Sequence, residues 1–397
     1  MAKYDFESVV NRHGQSSEKW VLMRRQCPEV GEEVVPFSVA DMELKHPPEL
    51  VRGLIDYIAD DAVLGYTIPY DAYYDAVTGW MERRHGWRIE REWISVSNGV
   101  IPAIYDLVKA FAGRGEGVIL LTPVYYPFYN AVVRNGRRVL DCPLRDTGGA
   151  YEIDFDLLEK TARDPAAKLL IFCSPHNPVG RVWRREELER VGDICLRHGV
   201  TIVSDEIHFD LVLPGHRHTV MASLSEELAD AVVTCTAPSK TFNLAGMQTA
   251  NIVIRNPALR AAYREEQARS GFDCLNALGF RTCELAYTKC EPWLDALLEL
   301  LERNRRALSN WLAERMPRVR MYPLEGTYLA WLDFRALGLA PEALETLMTR
   351  KAQVFFDEGY IFGEAGAGFE RMNIACPTRV LLDALERVAS ATAGLAP

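Results

Sequence analysis

The chain has 397 residues, 48% of them hydrophobic and 25% charged, with a formal net charge of -10 at pH 7. That balance supports a buried core and excludes a disordered chain. It also argues against a general nucleic-acid binder, because phosphate backbones demand clustered Lys and Arg and no such stripe is present.

No apolar stretch nears the ~20 residues that a bilayer crossing needs. The first residues, Met1-Ala2-Lys3-Tyr4-Asp5-Phe6-Glu7, carry charges where a signal peptide requires an apolar run. Neither a membrane nor nucleic acid is therefore an expected partner. Nine cysteines, without a CxxC, sit mostly in apolar segments such as Leu169-Leu170-Ile171-Phe172-Cys173. They read as small core residues in a reducing cytoplasm, and no metal site is expected. Length alone suggests roughly two or three domains.

From about residue 90 short apolar runs alternate with amphipathic stretches. Trp93 to Ser97 reads as a strand and Val100 to Ala112 as a helix. Val118 to Leu121 and Lys168 to Cys173 are further apolar runs, each closed by a Pro-containing turn. Glu186 to His198 places Leu188, Val191, Ile194 and Cys195 on one helical face. Strand-like Thr201–Ser204, Ala231–Cys235 and Asn251–Ile254 follow. Buried runs separated by helices imply an α/β protein with a mostly parallel sheet between helices. The last third differs, with a long helix over about 291–315 and strands at Arg318–Tyr322 and Tyr328–Asp333. It reads as a smaller α+β domain joined by the first forty-odd residues.

Parallel sheets bind ligands beyond the carboxyl ends of their strands. Four polar clusters follow the apolar runs there: Ser97-Asn98-Gly99-Val100, Pro175-His176-Asn177-Pro178, Ser204-Asp205-Glu206-Ile207-His208 and Pro238-Ser239-Lys240-Thr241-Phe242-Asn243. Any one of them is commonplace. An isolated lysine is mostly a surface residue, an aspartate after a strand is often a helix cap, and Asn-Pro is often only a turn. In this order and at separations of 28 residues (177 to 205) and 35 (205 to 240), they resemble the fold-type-I pyridoxal-phosphate enzymes.

That resemblance implies a large domain over 48–290 with a seven-stranded sheet, and a small domain from 1–47 and 291–397. It implies pyridoxal 5'-phosphate held as an imine on Lys240, which also serves as the base. Asp205 pairs with the ring nitrogen, Asn177 and His208 meet the cofactor, and Tyr125 stacks on the ring. Phosphate falls to Gly99, Val100, Ile101 and Ser239, with Tyr66 reaching over from a second copy in a homodimer. Arg371, in Phe369-Glu370-Arg371-Met372-Asn373, grips the substrate α-carboxylate beside Ala40, Tyr126 and Asn177.

Two positions choose the branch. Aminotransferases place tyrosine where this chain has His208, and a phosphate-binding arginine where it has Gln248. With Ala237 to Gly246 and Glu325-Gly326-Thr327-Tyr328-Leu329-Ala330-Trp331, the chain resembles the MalY/PatB-type cystathionine β-lyases, including cystalysin. The implied reaction is α,β-elimination from L-cystathionine or another L-cysteine S-conjugate, giving a thiol, pyruvate and ammonia. An aminotransferase on the same fold is the alternative. A second role in binding a transcription regulator stays open, although the joint presence of Lys240, Asp205, Asn177 and Arg371 speaks against an inactive scaffold. The chain departs from the branch at Val21, Ser38 and the Asn11-Arg12-His13-Gly14-Gln15 segment. This region is expected to line the substrate side.

Overall fold

A computed structural model describes residues 4–394. Its large sheet has strands β1 (Ile94–Ser97), β2 (Gly117–Leu120) and β3 (Arg138–Asp141). A small hairpin follows, β4 (Arg145–Asp146) and β5 (Tyr151–Glu152). The large sheet resumes with β6 (Ala167–Cys173), β7 (Thr201–Asp205), β8 (Val232–Thr236) and β9 (Ala250–Ile254). Its order is β1-β9-β8-β7-β6-β2-β3, and only β9 runs against its neighbours.

Alternation along these strands feeds two separate cores, since successive side chains point to opposite faces. Val118, Leu120, Leu169, Ile171 and Val203 pack beneath the helices Val100–Phe111, Pro127–Arg134 and Pro257–Arg269. Ile119, Leu170, Phe172 and Ile202 join the opposite core with Leu188, Val191 and Ile194 of the helix Arg185–His198. Both faces are covered, so the strands carry continuous apolar runs. Each fully buried Leu, Ile or Phe contributes roughly 1.5–3 kcal/mol.

The expected elements appear with edges moved by one or two residues. Arg318–Tyr322 loses residues at both ends and leaves the two-residue β10 (Arg320–Met321), flanked by Pro317 and Pro323, since proline cannot donate to a ladder. β11 (Leu329–Asp333), β12 (Asp357–Glu358) and β13 (Phe369–Asn373) complete an antiparallel sheet in the order β10-β11-β13-β12. The helix Glu291–Arg315 leads into it. The early chain crosses to this sheet. Phe37 N–H donates to Phe355 O, Asn373 N–H to Phe37 O, and Glu43 N–H to Ala375 O, all within 2.8–2.9 Å.

Candidate active site

The carboxyl ends of β1, β6, β7 and β8 open onto one cavity of about 180 Å³. Cys173 ends β6 and Asp205 ends β7. Lys240 follows β8 within the short helical turn Pro238–Thr241. Asn98, Gly99, Val100, Ile101, Tyr125, Asn177, His208, Ser239 and Ala40 share the same wall. Gly99 has φ of 127°, a conformation open to glycine, and it starts the helix Val100–Phe111 without a side-chain cap. The first backbone N–H groups of that helix face an anion-favouring dipole end.

The turn carrying Lys240 is anchored from behind. Thr241 Oγ1 donates to Asp210 Oδ2 at 2.7 Å, and Trp80 Nε1 donates to the same carboxylate at 3.1 Å. His85 Nε2 lies 2.8 Å from it. Glu206 turns away from the cavity, taking hydrogen bonds from Ser204 Oγ and Met221 N–H and pairing with His218. Within the Asp205–Asp210 segment, Asp205 and His208 line the cavity while Glu206 and Asp210 serve the side behind it.

Burial sets the electrostatics. Among the described residues the Asp205 carboxylate accepts one hydrogen bond, from Ile207 N–H at 3.1 Å, and desolvation pushes its pKa up to about 7. Burial, followed by the positive charge of Arg371, lowers Lys240 to about 8. The Lys240 amine donates to Ala40 O at 2.8 Å. Burial, followed by the charge of Lys240, drives His208 well below its usual value, and its Nδ1 has no partner among the described residues. Desolvation also raises the Tyr125 phenol.

Arg371 is 2% exposed on β13. Its Nη1 donates to Asn177 Oδ1 at 2.7 Å, its Nη2 pairs with Asp357, and its Nε has no partner among the described residues. The guanidinium lies 4.7 Å from the centroid of the Phe362 ring.

These features fit pyridoxal phosphate. A buried carboxylate without an ionic hydrogen-bond partner suits a ring cation, an unpartnered imidazole nitrogen suits a ring substituent, and a free helix start suits a phosphate. A buried amine of lowered pKa suits an aldehyde.

A family model described as aminotransferase class I and II matches residues 32–388. The chain belongs to that family. It is 42% identical to cystathionine beta-lyase PatB of Bacillus subtilis strain 168, over 98% of this chain and 99% of that protein. Its fold superposes on cystalysin from Treponema denticola, a structure containing pyridoxal 5'-phosphate, with TM-score 0.98 and 47% identity over 99% and 100% of the two chains. A pyridoxal-phosphate-bound C-S lyase from Staphylococcus hominis gives TM-score 0.90 at 29% identity, over 98% of each chain. Within the family the chain is of the MalY/PatB cystathionine β-lyase type, and its cofactor is pyridoxal 5'-phosphate.

All sequence candidates line the cavity except Arg371, Tyr66 and Tyr126, and Arg371 joins the site through its hydrogen bond to Asn177. Tyr66 is fully exposed on the segment after residue 61 and lies outside its own chain's cavity. Tyr126 does not line the cavity either. It stands half-exposed near Asp357 and Arg371, whose charges it senses. Of the 11–42 segment, only Ala40 lines the cavity. Arg12, Lys19 and Trp20 instead bind Asp41 and Glu43. Val21 is exposed.

Sequence reasoning missed Cys173, Tyr328 and Asp357. Cys173 looked like core because it ends an apolar run. Tyr328 was quoted as part of a motif, but nothing local shows that its hydroxyl reaches Ala40 O at 2.9 Å. Asp357 had no signal at all, since its partner is 14 residues away across a strand pair.

Proposed function

We propose that Lys240 is the base of a pyridoxal-phosphate-dependent carbon–sulfur β-lyase that acts on L-cystathionine or related L-cysteine S-conjugates. The observation that carries this reading is a buried amine and a buried, ionically unpaired carboxylate facing one cavity, in a chain 42% identical to a cystathionine beta-lyase.

Bound pyridoxal phosphate supplies an aldehyde that combines with amines and a ring that accepts an electron pair. The chain's own groups do the rest. Asp205 would keep the ring nitrogen charged, Tyr125 would stack on the ring, and Asn177 and His208 would meet the ring's oxygen. Amides of Gly99, Val100 and Ile101 and the Ser239 hydroxyl would hold the phosphate. Arg371 grips the substrate α-carboxylate with Asn177, Ala40 and Tyr126 around it, which fixes the Cα–H bond toward Lys240. The neutral amine of Lys240 removes that proton, and burial favours the neutral form. The electron pair left at Cα then forms a Cα–Cβ double bond as the Cβ–S bond breaks, the leaving thiolate takes up a proton, and water hydrolyses the released 2-aminoacrylate to pyruvate and ammonia.

The exposed Val63, Leu64, Tyr66 and Ile68 support a homodimer in which Tyr66 serves the other copy's phosphate. Eight buried thiols among nine free cysteines support a cytoplasmic setting. The crossing of residues 37–43 to β13 supports a division into 48–290 and the combined 1–47 and 291–397.

The test supplies purified protein with cystathionine and no keto acid. Equal yields of thiol, pyruvate and ammonia are expected, with borohydride fixing the cofactor to Lys240. A strict requirement for an added keto acid would overturn the lyase reading in favour of transamination.

A further inference from the structure

Val39 has φ of 56°, in the left-handed region that a β-branched residue enters only at a steric cost. Such a conformation persists where its surroundings over-determine it, and these places cluster at functional sites. Here the surroundings are specific. Val39 N–H donates to Asp357 Oδ2 and Val39 O accepts from Asn373 Nδ2, both at 2.9 Å. Asn373 Nδ2 and Lys19 Nζ hold the carbonyl of Asp41. Between these anchors the turn directs the Ala40 carbonyl at two donors, Lys240 Nζ at 2.8 Å and Tyr328 Oη at 2.9 Å.

The oxygen that pins Val39 has a second partner. Asp357 Oδ2 also accepts from Arg371 Nη2. A guanidinium has five N–H donors, so with one given to Asn177 and one to Asp357 three remain for an incoming carboxylate. Asp357 therefore holds the arginine's plane without blocking its task. One carboxylate oxygen joins the carboxylate grip to the peptide that meets the amine.

We propose that Asp357 is a positioning residue that sets the spacing between Arg371 and the Lys240 amine through the Val39–Ala40 peptide. The proposal rests on the reading of Lys240 as base and Arg371 as carboxylate grip. Proton abstraction requires the amine and the held Cα in register, and a displacement of about 1 Å costs on the order of a hundredfold in rate. The charged groups facing the amine are Arg371 from β13, Asp41 from the turn, Asp205 from β7 and Asp357 from β12. The three carboxylates favour its protonated form and Arg371 opposes it.

Asp357→Ala and Asp357→Asn in the holoenzyme test this. The alanine variant loses both bonds, and kcat is expected to fall about tenfold or more while borohydride still fixes the cofactor to Lys240. The asparagine variant keeps an oxygen for Val39 N–H and regains most of that kcat. In both, removing a negative neighbour moves the pH midpoint of the near-visible absorbance of the lysine-linked cofactor downward. The asparagine variant is nearly isosteric, so it still decides the matter should the alanine variant fail to fold. Wild-type kcat in the alanine variant, or an unmoved midpoint in the asparagine variant, would overturn the proposal and leave the lyase reading standing. Wild-type protein unlabelled at Lys240 would instead remove the reading beneath it.

Discussion

Asp205 and Lys240 share one cavity, and burial moves their pKa values toward each other, to about 7 and about 8. For the carboxylate this is a standing cost in the cofactor-free protein. A folded pKa raised above the unfolded one means stability that is complete below about pH 4 and lost as pH rises through about 7. Asp205→Asn removes the cost. The cofactor-free variant is expected to gain roughly 2–4 kcal/mol of unfolding free energy at pH 8, read from urea melts. The same change should weaken cofactor binding and slow Cα deprotonation by orders of magnitude. If stability and binding moved together instead, the carboxylate would be structural. A residue this unfavourable to the empty fold is retained for what it binds.

At the scale of elements, a pair of glutamates in the small sheet repeats the theme away from the cavity. Glu358 and Glu370 stand opposite each other across β12 and β13, with Glu345 and Asp357 adding negative charge nearby. Burial first, and then these neighbours, raise Glu358 to about 7 and Glu370 well above its usual value. The stability tied to Glu358 is therefore present below pH 4.5 and disappears as pH climbs to about 7. Glu358→Gln should stabilise the protein by about 1–3 kcal/mol at pH 8 and by less than about 1 kcal/mol at pH 5, measured by denaturant melts at both values. Equal gains at the two pH values would dismiss the argument. These strands also show where sequence reading stops. β6 to β9 announced themselves as apolar runs because helices cover both faces of the sheet. β13 reads Phe369-Glu370-Arg371-Met372-Asn373, and although all five residues are buried, three are polar, so no hydrophobic period marks it. Arg371 was found by its motif, whereas the strand presenting it was not. β3, an edge strand with exposed Arg138 and Asp141, escaped for the opposite reason.

For the whole molecule, the four polar clusters were legible because each follows a strand of one sheet, and the topology brings strand ends together. Contacts across the chain, such as Ala40 with Lys240 and Asp357 with Arg371, leave no local trace. The proposed assembly adds a further layer. Ile68→Asp, at a side chain 77% exposed, should dissociate the dimer in sedimentation and abolish lyase turnover. Tyr66→Phe should keep the dimer and weaken cofactor binding roughly tenfold, the loss of one charge-assisted hydrogen bond. A monomeric wild type with full turnover would exclude the shared site. The large sheet closes at Ile254, well before Arg371 is reached on β13. During synthesis, then, the ribosome delivers Lys240 and Asp205, proposed to meet the cofactor, well before Arg371, proposed to hold substrate. The direction of translation alone puts the residues proposed to hold the cofactor into the chain ahead of the one proposed to hold substrate.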